Sequence, residues 1–123
     1  MTKSIKKILR KDGTYKVTGT LWIERDGERF FGPGRAELLE HIAETGSINM
    51  AARKMGMSYK KAWEMINALN NQSGKPIVIP KTGGEKGGGT TLSEEAWELI
   101  AYHRTLRERF LLFLKTETGA LKK

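Results

Sequence analysis

The sequence predicts a mainly α-helical domain with a little β-structure. The expected arrangement is a winged helix-turn-helix, preceded by an N-terminal β-hairpin and followed by a long C-terminal dimerisation helix. Three observations carry this. Two short helical segments meet at a tight turn between Ser47 and Trp63. Two β-favouring runs, Ile77-Val78-Ile79-Pro80 and Thr90-Thr91-Leu92, flank the glycine-rich Gly83-Gly84-Glu85-Lys86-Gly87-Gly88-Gly89. A long amphipathic stretch then opens on Ser93 and carries the rest of the chain.

Residues 1–16 are lysine-rich with little periodicity and read as a basic, flexible arm; 17–116 read as the folded domain and 117–123 as a tail. Thr20-Leu21-Trp22-Ile23 and Arg29-Phe30-Phe31 favour strand, and Asp26-Gly27 between them is a hairpin signal. Gly32-Pro33-Gly34 breaks the chain. From Arg35 to Thr45, Leu38, Leu39, Ile42 and Ala43 recur at helical core spacing. Ser47 and Ser58 suit helix N-caps, because a side-chain oxygen there accepts an otherwise unpaired backbone N–H. Gly46 and Gly56 stand where helices end. Ala51 and Ala52 permit close helix approach, while Ile48, Met55, Met57, Ala62 and Ile66 fill the angle between the helices. This is the layout in which a second helix enters the DNA major groove.

That second helix is expected from Tyr59 to about Asn71. At about 100° per residue, Ala62, Ile66 and Leu69 form one apolar stripe, while Lys60, Glu64 and Asn67 lie opposite. Lysine donates to guanine O6 and N7, asparagine pairs with an adenine edge, and an aromatic ring contacts a thymine methyl. The expected recognition residues are therefore Ser58, Tyr59, Lys60, Lys61, Trp63 and Asn67. Tyr59 and Trp63 also fit as rim residues of the core. Ser47, Arg53 and Lys54 of the first helix, with Lys81, Thr82 and Lys86 of the wing, are expected to meet phosphates, which position rather than specify.

In the final helix, expected over 93–116, Ala96, Leu99, His103, Leu106, Phe110 and Phe113 recur at spacings of 3, 4, 3, 4 and 3. A single small domain does not readily bury such a seam, so Leu99, His103, Leu106, Phe110 and Phe113 are expected at a homodimer interface. The alternative is that the seam packs on the hairpin near Trp22.

The net charge is +8, unevenly distributed. Residues 1–16 carry +5, 17–45 carry −3, 46–91 carry +5 and 92–123 carry +1. A basic block over a helix-turn-helix is the footprint of a polyanion-binding surface. The absence of cysteine excludes thiol catalysis, disulfides and cysteine-bound zinc, and fits a cytoplasmic protein. The longest apolar run, Phe110–Leu114, cannot span a bilayer, so no membrane association is expected. His41 and His103 have neither a nearby nucleophile nor a second ligand at metal spacing, so no enzyme activity, metal or cofactor is expected. The glycine-rich loop lacks a following Gly-Lys-Ser/Thr and is not a nucleotide cradle.

Gly46-Ser47-Ile48, Ala51-Ala52, Gly56-Met57-Ser58-Tyr59-Lys60, Ala62-Trp63, Asn67, the Thr82–Gly89 loop and Leu92-Ser93 together resemble the DNA-binding domain of ModE-type molybdate-responsive regulators. That domain is related to the winged helix of LysR-type regulators. The resemblance covers roughly 17–113 and includes the hairpin and Gly32-Pro33-Gly34-Arg35. It implies a homodimer on a palindromic operator in double-stranded DNA. Full-length members continue into molybdate-binding β-barrel domains, which have no counterpart before Lys123. The resemblance therefore implies either an effector-independent regulator or a separate oxyanion-sensing protein. A winged-helix interaction adaptor that docks through its long helix is the alternative function.

Overall fold

The structure is a computed structural model that describes residues 5–81 and 89–122. The chain divides into two compact units, Trp22–Arg104 and Met1–Leu21 with Thr105–Lys123.

The larger unit opens with a hairpin of β1 (Ile23–Arg25) and β2 (Glu28–Phe31). Its two-residue turn has positive φ at both Asp26 (51°) and Gly27 (82°), the geometry that matches strand twist. Arg25 pairs with Glu28 and Glu24 with Arg29, and a bulge then brings Ile23 opposite Phe31. Strand pairing starts at Ile23 rather than Thr20. Trp22 instead lies beside Gly32, where a Cβ would come within 2.5 Å of the indole. The Arg29 guanidinium covers the same indole at 4.4 Å.

Helix α1 (Pro33–Thr45) begins two residues before the expected Arg35. Proline fits the first helical position because it needs no N–H partner there and its φ is already helical. The helix ends where Gly46, at φ 70°, donates its N–H to the Ile42 carbonyl at 2.7 Å. Helix α2 (Ile48–Lys54) is capped by Ser47, whose hydroxyl accepts the Met50 N–H at 3.1 Å. It terminates in a Schellman motif: Met57 N–H reaches the Ala52 carbonyl at 3.0 Å and Gly56 N–H reaches Arg53 at 3.1 Å. Helix α3 (Tyr59–Gln72) follows at once, capped by Ser58, which accepts the Lys61 N–H at 3.0 Å. Strands β3 (Val78–Pro80) and β4 (Thr90–Leu92) form the antiparallel wing, with Val78 opposite Leu92 and Pro80 opposite Thr90. Helix α4 runs from Glu94 to Gly119.

Phe31, Leu38, Leu39, Ile42 and Leu69 are the largest fully buried side chains, each contributing about 1.5–3 kcal/mol by leaving water. Ala51, Ala52, Ala62 and Ala96 are buried among them, so small side chains let α1, α2, α3 and the start of α4 close on one core. His103 belongs to this core too. It is 4% exposed, and its ring meets Phe31 edge-on at 5.1 Å. The seam read from the sequence therefore does not face one environment. Ala96 and His103 pack inside their own unit, partly toward the hairpin, and leave little surface for a second chain. Leu99 is half-buried against the core.

In the smaller unit, the segment expected to be an arm has structure among its described residues. A 3-10 turn spans Lys6–Ile8, and Arg10 pairs with Asp12 at 2.9 Å. The Arg10 N–H is accepted by the Tyr15 hydroxyl at 3.1 Å, and Val17 N–H by Thr118 Oγ1 at 2.9 Å. Phe110 is half-buried, its ring edge close to Gly19. Leu106 is half-buried, and Phe113 is 56% exposed.

Candidate nucleic-acid interface

Helix α3 has two contrasting faces. Ala62, Ile66 and Leu69 are buried, and Met65 is half-buried beside them. Ser58, Tyr59, Lys60, Lys61, Trp63, Glu64 and Asn67 are exposed. Tyr59 and Trp63 keep about half of their surface in solvent, at 52% and 48%. Burying ring area of this size is a large potential gain on binding. Lys60, Trp63 and Asn67 recur every three or four residues and so share one side of the helix. Glu64 lies on the same side, so a carboxylate stands beside the lysine, indole and amide groups of that face.

The wing is tied to the helix-turn-helix by backbone and by one side chain. Thr90 N–H donates to the Gly46 carbonyl at 3.0 Å, joining β4 to the turn before α2. Asn70 of α3 accepts the N–H groups of Ile77 and Val78 through Oδ1 at 2.8 and 3.1 Å. Its Nδ2 donates to the Val78 carbonyl at 3.0 Å. A two-stranded sheet leaves the outer edge of β3 without strand partners, and Asn70 supplies them. Between α3 and the wing lies a cleft of about 330 Å³ whose lining includes Trp63, Asn67, Pro80 and Gly89. Lys81 is exposed beside it, its N–H bonded to the Gly89 carbonyl at 3.0 Å. Thr82 and Lys86 lie outside the described residues.

Two more side chains fix the platform. Arg35 donates through Nη1 to the Phe30 carbonyl at 2.6 Å and to Gln72 Oε1 at 3.1 Å, linking hairpin, α1 and α3. Burial holds this guanidinium below its ordinary pKa. Ser93 donates to the Pro76 carbonyl at 2.7 Å and accepts the Ala96 N–H at 3.2 Å, starting α4 at the base of the wing.

The expected first-helix contacts divide. Arg53 is exposed. Lys54 is hydrogen-bonded to Glu44, and this pair, chiefly through the hydrogen bond, holds the Glu44 carboxyl below the usual glutamate range. Ser47 uses its hydroxyl as a cap. Its carbonyl accepts the Ala51 N–H at 3.0 Å. Asn70 and Arg35 are absent from the residues that the sequence singles out. Asn70 gave one sequence signal: at helical spacing it falls next to Ile66, at the edge of the apolar stripe, where a polar side chain needs a partner. Arg35 gave none beyond its place after Gly32-Pro33-Gly34. Among the described residues no group of three His, Asp or Glu could hold a metal ion. No helix among them is long and apolar enough to cross a membrane.

A capped two-helix turn, an exposed polar and aromatic face on its second helix and a wing clamped alongside define a winged helix-turn-helix module. Residues 34–96 match the model of the bacterial regulatory helix-turn-helix proteins of the lysR family, and the chain belongs to that family. It is 44% identical over 92 residues to the molybdenum transport protein ModE of Herbaspirillum seropedicae, covering 75% of this chain and 32% of that protein. It is 46% identical over 79 residues to the molybdenum-pterin-binding protein MopB of Rhodobacter capsulatus, covering 64% and 29%. The DNA-binding transcriptional dual regulator ModE of Escherichia coli K12 is 42% identical over 79 residues, covering 64% and 30%. The chain thus spans about a third of the length of the curated relatives it matches.

Proposed function

We propose that this chain is a sequence-specific DNA-binding transcriptional regulator whose recognition element is the exposed face of α3. The observation that carries the reading is the pairing of Lys60, Trp63 and Asn67 in solvent with Ala62, Ile66 and Leu69 in the core. A helix held from behind by its core presents base-reading side chains without a backbone ordering cost, leaving only that of the side chains themselves. Membership of a regulatory family and likeness to a DNA-binding dual regulator support it. Lys61, Arg53 and Lys81 are exposed cations that suit phosphate contacts, while Thr82 and Lys86 join them in this reading by chemistry alone.

The reading extends to a homodimer on a palindromic operator. Its support is the apolar surface of α4, where Phe113 is exposed and Leu99, Leu106 and Phe110 are partly exposed. His103 drops out of that interface because its own core already surrounds it. The names of two relatives, a molybdenum transport protein and a molybdenum-pterin-binding protein, support molybdenum-related target genes as part of this reading, and a separate oxyanion-sensing protein is its proposed partner.

The test is fluorescence anisotropy with labelled duplexes across a salt series, alongside sedimentation of the free protein. The reading expects a dimer that prefers a specific duplex by at least a thousandfold over random DNA. A monomer with equal, salt-labile affinity for every duplex would overturn it.

A further inference from the structure

The cleft between α3 and the wing has a composition that phosphate contacts do not explain. No charged side chain is among its lining residues. Ile48, Ile66, Val78 and Ile79 make it apolar, Ile66 and Val78 being buried and the other two half-buried. Trp63 of α3 and Pro80 of β3 add two exposed rings to the same lining. Its polar side chains are Thr90 and two asparagines. Asn70 uses both ends of its amide on β3 and the residue before it. Asn67 is exposed and has no hydrogen-bond partner among the described residues.

Both walls are fixed before any ligand arrives. Asn70 ties α3 to β3, and the Thr90 N–H bond to the Gly46 carbonyl at 3.0 Å ties β4 to the turn before α2. Apolar area held in place this way is available to a ligand without reordering of the backbone that carries it.

A duplex offers such a surface few matches. Phosphates call for cations, and polar base edges call for donors and acceptors. The cleft has no cation, and Asn67 is the amide left over to read a base edge. The apolar group of the major groove is the C5-methyl of thymine, and adenine presents N7 and N6 to an amide. We infer, on the reading of α3 as the base-reading helix, that this cleft seats a thymine C5-methyl group against Trp63 and Pro80, with Asn67 on an adenine beside it. Pro80, a residue of the wing, then determines sequence and not position alone. The cleft, about 330 Å³, is wider than one methyl group, so it senses the presence of apolar surface more than its exact shape. 5-Methylcytosine carries the same methyl group and gains the same contact over cytosine.

The experiment uses the full chain and a duplex that it selects from random DNA, with each thymine replaced in turn by deoxyuridine, which removes the methyl alone. Competition anisotropy should show one thymine per half-site at which uracil weakens binding about fourfold, the value of one buried methyl. At that position 5-methylcytosine should bind about fourfold tighter than cytosine. Trp63→Ala, at a half-exposed position whose truncation leaves the core closed, should bring both ratios close to one. Pro80→Ala should lower both ratios, and Asn67→Ala should keep them while relaxing the preference for adenine. Methyl groups also alter duplex stiffness, an effect that would persist in both Trp63→Ala and Pro80→Ala. Persistence in both variants would therefore overturn the inference. Ratios close to one at every thymine of a specifically bound duplex would overturn it while leaving the reading of α3 intact. A selection that returns no preferred duplex would remove that reading, and this contact with it.

Discussion

Replacing Asn70 by alanine should separate the wing from the recognition helix. The side chain makes three hydrogen bonds to β3 and the residue before it, at 2.8, 3.1 and 3.0 Å. Each is worth about 1 kcal/mol net, and a donor left buried without a partner costs about 1–3 kcal/mol more. Ile77 and Val78 are themselves buried, so water replaces the amide poorly. A loss of about 2–4 kcal/mol follows for Asn70→Ala, a large share of the ~5–15 kcal/mol that holds a typical domain. Asn70→Asp keeps both acceptor contacts but sets a carboxylate oxygen against the Val78 carbonyl that the amide used to donate to, so at neutral pH its loss should be similar to that of alanine. Urea unfolding followed by tryptophan fluorescence suits the measurement, because Trp22, Trp63 and Trp97 all lie in the same compact unit as Asn70. With a urea slope of about 1–1.5 kcal/mol/M, the alanine variant should lose about 2 M in midpoint. A loss below about 0.5 kcal/mol for Asn70→Ala would refute the clamp.

Gly32→Ala should cost about 1–3 kcal/mol in the same assay, because the new methyl would meet the Trp22 indole at 2.5 Å where its backbone conformation is otherwise ordinary. A neutral result would show that the indole moves aside freely. The Glu44 carboxyl, held below the usual range by Lys54, should titrate below an exposed glutamate in a carbon-detected NMR titration. Because its folded pKa is lowered, the pair's contribution is present above the ordinary glutamate value and fades as pH falls through the lowered one. Glu44→Gln releases Lys54 for a phosphate, so DNA affinity at neutral pH should rise and the slope of log K against log salt should steepen by up to about 0.9. An unchanged slope would place Lys54 outside the interface.

The helix-turn-helix was legible because each of its boundaries has a local cause. Ser47 and Ser58 cap the residues that follow them, and the Gly56 turn closes on Ala52 and Arg53 only a few positions away. The wing was legible for the same reason, as two β-favouring runs around a glycine-rich stretch. What local pattern could not show is where long-range contacts fall. Ala96 and His103 fit a heptad as well as Phe113 does, yet Ala96 and His103 are buried in their own unit while Phe113 is exposed. Periodicity reports which residues share a face and not what covers it. Asn70 and Arg35 act on backbone groups eight and five residues away in sequence but on other elements, so their roles appear only once the chain is folded. Lys54 read as a free cation because its partner Glu44 sits ten residues upstream on a different helix.

The measurement that bears most directly on the recognition face is a parallel selection of bound duplexes from random DNA by the unaltered chain and by Lys60→Ala. The unaltered chain should return an inverted repeat with fixed half-site spacing. Lys60→Ala should return the same repeat with preference relaxed at one guanine in each half-site, and should bind the original site weaker by about 1–3 kcal/mol. An identical motif from both proteins would contradict the assignment of α3 as the base-reading surface.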